Sequence, residues 1–169
     1  MKKKSGPVLF TVDTFQSPLG TLYLIFSGNA LAEMEFNQPY DIDPPPPVCP
    51  EQISHSMKMQ LGEYFKGRLK EFEQEVVFIR GTDFERSVWL ALKEIPYGET
   101  RPYKWLAGRI GKPMAMRAVG RALSRNPLPI IMPCHRIIES DGSIGGYSGG
   151  IDIKRRLLDL EYYHTIGMQ

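Results

Sequence analysis

Cysteine, histidine and long apolar runs are all scarce in this 169-residue chain. The two cysteines, Cys49 and Cys134, cannot build a disulfide framework. No C-x-x-C pair or Cys/His cluster accompanies them, so no metal site is expected and a reducing cytoplasmic or nuclear setting is the default. No stretch approaches the roughly 18 apolar residues of a membrane span. The basic start (Met1, Lys2, Lys3, Lys4) is not followed by the apolar segment of a secretory leader. What remains is ordinary for a globular protein: 42% apolar and 24% charged residues exclude a disordered or fibrous chain. The length allows one domain or two small ones.

The net charge of +2 conceals an uneven distribution. Residues 1–80 carry 8 basic and 10 acidic side chains, whereas residues 81–169 carry 13 and 9. Between 101 and 136 there are eight basic residues and no acidic one. Such a run suits a polyanion, because each phosphate contact releases counterions, and it equally suits a solvated surface.

The pattern predicts an α+β fold in two units, 1–80 and 81–169. The first reads as a three-strand antiparallel meander ("PVLFTVDTF", "GTLYLIFSG", "ALAEMEF") separated by turn residues. Four consecutive prolines make the 43–50 segment a loop, with Cys49 an incidental thiol. Ile53, Met57, Leu61 and Phe65 mark one apolar face of a helix ended by Gly67, and "EVVFI" reads as a further strand. The second unit is mainly helical. Thr82 and Glu85 have capping-box spacing ahead of a Phe84, Val88, Leu92, Ile95 stripe. Two short helices follow, the first with Leu106 and Ile110 inward, the second opened by Pro113 with Val119, Ala122 and Leu123 inward. Together they make a helix-turn-helix, winged-helix-like candidate. Arg117, Arg121 and Arg125 recur along one face of its second helix, where a nucleic-acid reader presents cations. The "LPIIMPCHRII" segment is buried and extended or a loop, and a glycine-rich stretch then leads to a final helix from about residue 151. That helix turns either Leu157, Leu160 and His164 or Leu158 and Glu161 inward.

Cys134 is followed by His135 and Arg136. A thiol attacks only as the thiolate, so a base that takes its proton and a carboxylate that orients the base complete a nucleophilic site. Glu161, on the final helix, is a candidate for that carboxylate. The same trio is compatible with a hydrolase, although no oxyanion-hole motif is present, and with an inert buried pair.

The string "RAVGRALSRNPLPIIMPCHRII", with "GGYSGG" after it, resembles the O6-alkylguanine-DNA alkyltransferases, a DNA repair family. The resemblance runs from about residue 82 to 161. It implies irreversible transfer of an alkyl group from guanine O6 in DNA to Cys134, with His135 as the base acting through a water and Glu161 orienting it. Arg136 is read as a structural partner. Tyr103 matches a tyrosine beside the substrate base, Ser148 a serine whose backbone N–H lies near O6, and Tyr147 its neighbour. Carbonyls of Cys134 and Ile137 match acceptors for the guanine amine, and Asn126 matches the tie between helix and active loop. Arg117 matches the finger that fills the space of a flipped nucleotide. Ala118 and Gly120 allow close approach to the minor groove, and Arg121 and Arg125 are assigned to phosphates. The resemblance implies no cofactor and no membrane. The partner is double-stranded DNA carrying alkylated guanine, bound by a monomer. Alkyl size, O4-alkylthymine as a second substrate and cooperative binding stay open. A non-catalytic lesion-binding relative is the alternative.

Overall fold

A computed structural model describes residues 9–37 and 45–167. The lysine-rich start, the first two residues assigned to the opening strand and Asp43 with Pro44 lie outside the described residues. The meander is present: β1 (Phe10–Ser17), β2 (Gly20–Ser27) and β3 (Ala30–Phe36) form an antiparallel sheet with β2 in the centre. β2 buries Leu22, Leu24, Ile25 and Phe26, and its register with β3 shifts between Ile25 and Phe26, where Ala32 of β3 is the extra residue. Helix α1 (Glu51–Phe65) supplies Met57, Leu61 and Phe65 to the core as the spacing predicts, together with Tyr64. It stops where Gly67 takes φ +72°.

One expectation needs correction here. The "EVVFI" segment is not a strand. It touches β3 at one bridge, where Leu31 N–H donates to Glu75 O and Val77 N–H to Leu31 O. Further along β3 the Met34 N–H is already taken by the Pro127 carbonyl at 2.8 Å, so the ladder cannot extend. The proline-rich loop is irregular as expected, yet it makes one bridge to β1, through Val12 N–H to Pro47 O and Cys49 N–H to Val12 O.

Helix α2 (Asp83–Leu92) opens with the expected capping box, Thr82 and Glu85 each satisfying the other's backbone N–H. Next come β4 (Arg101–Pro102), α3 (Tyr103–Arg109) and α4 (Met116–Ser124). Pro113 does not open α4. Ala115 N–H donates to Lys112 O, which makes residues 112–115 a turn with proline at its second position, and the helix begins after it. Val119, Ala122 and Leu123 face inward as expected. A single 3₁₀ turn (Cys134–Arg136) leads into β5 (Ile137–Ile138), which pairs in parallel with β4. These two-residue strands are too short to leave a periodic signal. Helix α5 (Ile151–Thr165) buries Lys154, Leu157 and Glu161, a stripe that takes one member from each expected set and adds a lysine. No described helix is long and apolar enough to cross a membrane. The division between residues 80 and 81 is kept as a proposal. The buried core itself runs continuously from Leu22 and Tyr64 to Val88, Leu106 and Leu157.

Candidate active site

The active segment hangs from the end of α4. Asn126 Nδ2 donates to Met132 O at 2.8 Å, and Asn126 Oδ1 accepts Leu128 N–H at 3.0 Å. These two bonds close the 126–132 loop and set the direction in which the chain enters Cys134. Inside the loop Ile130 takes φ +73°, a left-handed conformation costing a β-branched residue roughly 1–3 kcal/mol. The packed surroundings, with Leu128, Ile130 and Met132 all buried, hold it there.

Cys134 lies at the wall of a cavity of about 300 Å³. Tyr103 from α3, Gly120, Leu123 and Ser124 from α4, and Gly146, Tyr147 and Ser148 from the glycine-rich loop complete the lining. That volume is at the small end of ligand sites. Gly120 has only the Tyr103 ring edge near it, 4.0 Å from where a Cβ would stand. A larger cavity, about 410 Å³, opens beside Tyr97 and Arg136 and does not include Cys134.

His135 is fully buried, and its Nε2 lies 2.7 Å from Glu161 Oε1. Its Nδ1 has no partner among the protein atoms. Nε2 therefore carries the hydrogen facing the carboxylate, which leaves Nδ1 with the free lone pair. Arg136 grips the same carboxylate twice, Nε to Oε2 and Nη2 to Oε1, both at 2.9 Å, and donates from Nη1 to Ile95 O at 2.7 Å. The structural role expected of it is thus visible. Gly98 N–H donates to Oε2 at 3.1 Å, and the Tyr64 hydroxyl to Oε1 at 2.7 Å.

These contacts set the protonation states. Burial pushes the Glu161 carboxyl up, but His135 and Arg136 outweigh it and hold the group well below the usual carboxylate range. Burial also pulls the His135 imidazole down, so at neutral pH it is an uncharged base. The Cys134 thiol is pushed up by burial, with Asn126, Lys154 and Tyr147 opposing. At rest the sulfur is therefore a thiol, which becomes a nucleophile only on losing its proton.

The remaining expected residues fall into two groups. Tyr103, Tyr147, Ser148 and Gly120 surround the Cys134 cavity. Arg117, Ala118, Arg121 and Arg125 do not line it. Arg117 lies one helical turn before Gly120, exposed and without an ion pair among the described residues. Arg121 is exposed, whereas Arg125 donates to Glu85 Oε1 at 2.9 Å. The Cys134 carbonyl already accepts Ile137 N–H, and the Ile137 carbonyl accepts Lys154 Nζ at 2.6 Å. Each keeps a second lone pair for a ligand.

Two residues escaped sequence reasoning. Lys154 is fully buried and joins Ile137 O to Gly146 O (3.1 Å), tying the strand after Cys134 to the glycine-rich loop. Its position two turns before Glu161 on one helix face was the available signal. Tyr64 comes from α1, 97 positions from Glu161, and no local pattern announces it.

A family model described as "6-O-methylguanine DNA methyltransferase, DNA binding domain" matches residues 83–163. A methylated-DNA–protein-cysteine methyltransferase of Methanosarcina barkeri is 45% identical over 152 residues, 88% of this chain and 95% of that protein. The crystal structure of the Mycobacterium tuberculosis O6-methylguanine methyltransferase superposes with a TM-score of 0.83 at 44% identity, covering 92% of this chain and 94% of that one. A structure of the mycobacterial protein in complex with DNA matches with a TM-score of 0.82 at 43% identity, covering 92% and 93%. The likeness therefore reaches well beyond the Pro-Cys-His-Arg region into the sheet and α1. With a buried cysteine followed directly by a buried histidine that is hydrogen-bonded to a carboxylate, and this similarity along nearly the whole sequence, the chain belongs to the methylated-DNA–protein-cysteine methyltransferase family.

Proposed function

We propose that this chain repairs O6-alkylguanine in double-stranded DNA by taking the alkyl group onto its own Cys134, once per molecule. The observation that carries the proposal is the His135 ring, whose Nε2 is committed to Glu161 while its buried Nδ1 is left without a protein partner, on the residue that directly follows the buried Cys134. His135 Nδ1 takes the thiol proton through a bridging water. The Cys134 sulfur then attacks the sp3 carbon in line, so an S–C bond forms as the C–O6 bond breaks. The electron pair leaves on the guanine, whose ring accepts a hydrogen bond from the Tyr103 hydroxyl. Burial keeps that hydroxyl protonated by raising its pKa, helped by Glu139 and Cys134. A thioether has no route back to a thiol, which makes the reaction single-use.

The alkyl carbon sits on a stacked base, so the nucleotide must rotate out of the duplex at a cost of a few kcal/mol. Arg117, exposed beside the cavity wall, is the side chain that fills the gap. Ala118 and Gly120 let α4 approach the minor groove, and Arg121 contacts phosphate. Arg125 reaches phosphate only by giving up Glu85. Ser148 and Tyr147 close the pocket around the base. The protein acts as a monomer in the compartment that holds the DNA and needs no metal or cofactor.

The deciding experiment uses duplex DNA with radiolabelled O6-methylguanine. One label per chain on Cys134 is expected, whereas label on Cys49 or more than one transfer per chain overturns the mechanism. For Arg117→Ala, transfer from duplex DNA should slow by at least about tenfold, because part of the flipping cost is no longer offset. Transfer from single-stranded lesion DNA should be nearly unchanged. Equal slowing on both substrates would refute the finger role.

A further inference from the structure

The half of the chain without catalytic motifs sends one hydroxyl into the buried network. Tyr64, on α1, donates to Glu161 Oε1 at 2.7 Å, the same oxygen that receives His135 Nε2 and Arg136 Nη2. Its ring is fixed edge-on to Tyr97, with centroids 5.8 Å apart, and packs against Phe65 and Phe72. We infer that Tyr64 is a positioning residue for alkyl transfer: its hydroxyl shares the charge on Glu161 Oε1 and so sets how strongly that carboxylate holds the His135 ring and its proton.

Packing alone does not explain the hydroxyl. The aromatic contacts need only the ring, while an unpaired phenol in this site would be costly unless it met an acceptor. Burial, reinforced by the Glu161 charge, raises the Tyr64 pKa well above its ordinary value, so the group stays a donor over the working pH range. The charged and titratable groups that act on the Glu161–His135 pair are Arg136 on the same turn as His135, Lys154 on α5, Tyr97 after α2, and Tyr147 on the glycine-rich loop. Arg136 carries a fixed charge and Lys154 is bound to two carbonyls. Tyr97 donates no bond to Glu161, and its hydroxyl lies 3.4 Å from His164 Nδ1. Tyr64 is therefore a donor on Oε1 from outside the His135–Arg136 turn, whose removal leaves the other bonds to the carboxylate in place.

Losing that donor concentrates charge on Oε1. His135 then keeps a proton to higher pH, and less of it is the free base when the medium is acidic. This inference rests on the alkyl-transfer reading, and its test separates the two. In Tyr64→Phe, single-turnover transfer at pH 6 should fall about tenfold relative to the unaltered protein, and at pH 8.5 should stay within about twofold. NMR titration of the His135 ring, which needs no transfer, should show its pKa displaced upward in the same variant. Fluorotyrosine at position 64 keeps the ring and makes a stronger donor, so it should displace both curves the opposite way. Superimposable profiles in an active protein overturn the positioning role, as does a pH-independent loss with an unchanged His135 titration. If the unaltered protein transfers nothing, the alkyl-transfer reading fails, while a displaced His135 titration in Tyr64→Phe still upholds the coupling and an unchanged one still overturns it.

Discussion

Cys134→Ala is expected to abolish alkyl transfer completely and to leave affinity for lesion-containing duplex DNA within a few-fold of the unaltered protein. In the proposed mechanism the sulfur is a reactant, which makes the loss absolute. Cys49 offers no detour: it is buried in the proline-rich loop with its thiol directed to Pro50 O at 3.7 Å, and among the described residues no base is hydrogen-bonded to it. Binding should persist because the groups proposed to face DNA are on α4, and Cys134 is only 5% exposed at the cavity wall. Removing one buried sulfur leaves a void of about a methyl group, worth roughly 1 kcal/mol, which the loop closed by Asn126 can tolerate. Label transfer and a mobility-shift titration on the same DNA check both halves. Any residual transfer would move the chemistry to another residue, and loss of binding would assign DNA recognition to the thiol loop. An unaltered protein that binds the lesion and never transfers label would be the non-catalytic relative.

Local signals and long-range contacts were unequally legible in the sequence. Thr82 with Glu85, and Met57 with Leu61, could be read because a cap and a helix stripe are written within four residues. Cys134, His135 and Glu161 were legible as a set because their motif is specific, and the structure joins the last two at 2.7 Å. Lys154 and Tyr64 were not. Burial of a lysine contradicts its usual preference, and here two carbonyls make it possible. Tyr64 carries no local signal, since its acceptor is supplied 97 residues later. Pro113 misled for a different reason: the ring suits the first turn of a helix and the second position of a β-turn equally, and the Ala115 to Lys112 hydrogen bond decides between them.

Glu161→Gln should be the most damaging conservative substitution in the molecule. The amide is nearly isosteric, yet it removes the charge that compensates Arg136 and places an NH₂ among the donors from Tyr64, His135, Gly98 and Arg136. Stripping one partner from a buried, hydrogen-bonded pair costs about 3–5 kcal/mol, so a large drop in unfolding free energy is expected at pH 7. Transfer should fall about 10²–10⁴-fold, the usual worth of an oriented general base. The pH dependence gives a second signature. The native carboxyl titrates below its unfolded value of about 4.3, so the unfolded chain binds more protons as pH falls, and the stabilisation present above that value is lost progressively below it. His135, whose native pKa is also depressed, acts in the same direction below about 6.5. Urea unfolding of the unaltered protein should thus weaken on acidification. In Glu161→Gln, which starts from a lower plateau, the carboxyl part of that slope, below about 4.3, should vanish, while the His135 part below about 6.5 remains. A variant as stable as the parent, with the parent's acid slope, would show that the Glu161 charge does not hold this site together.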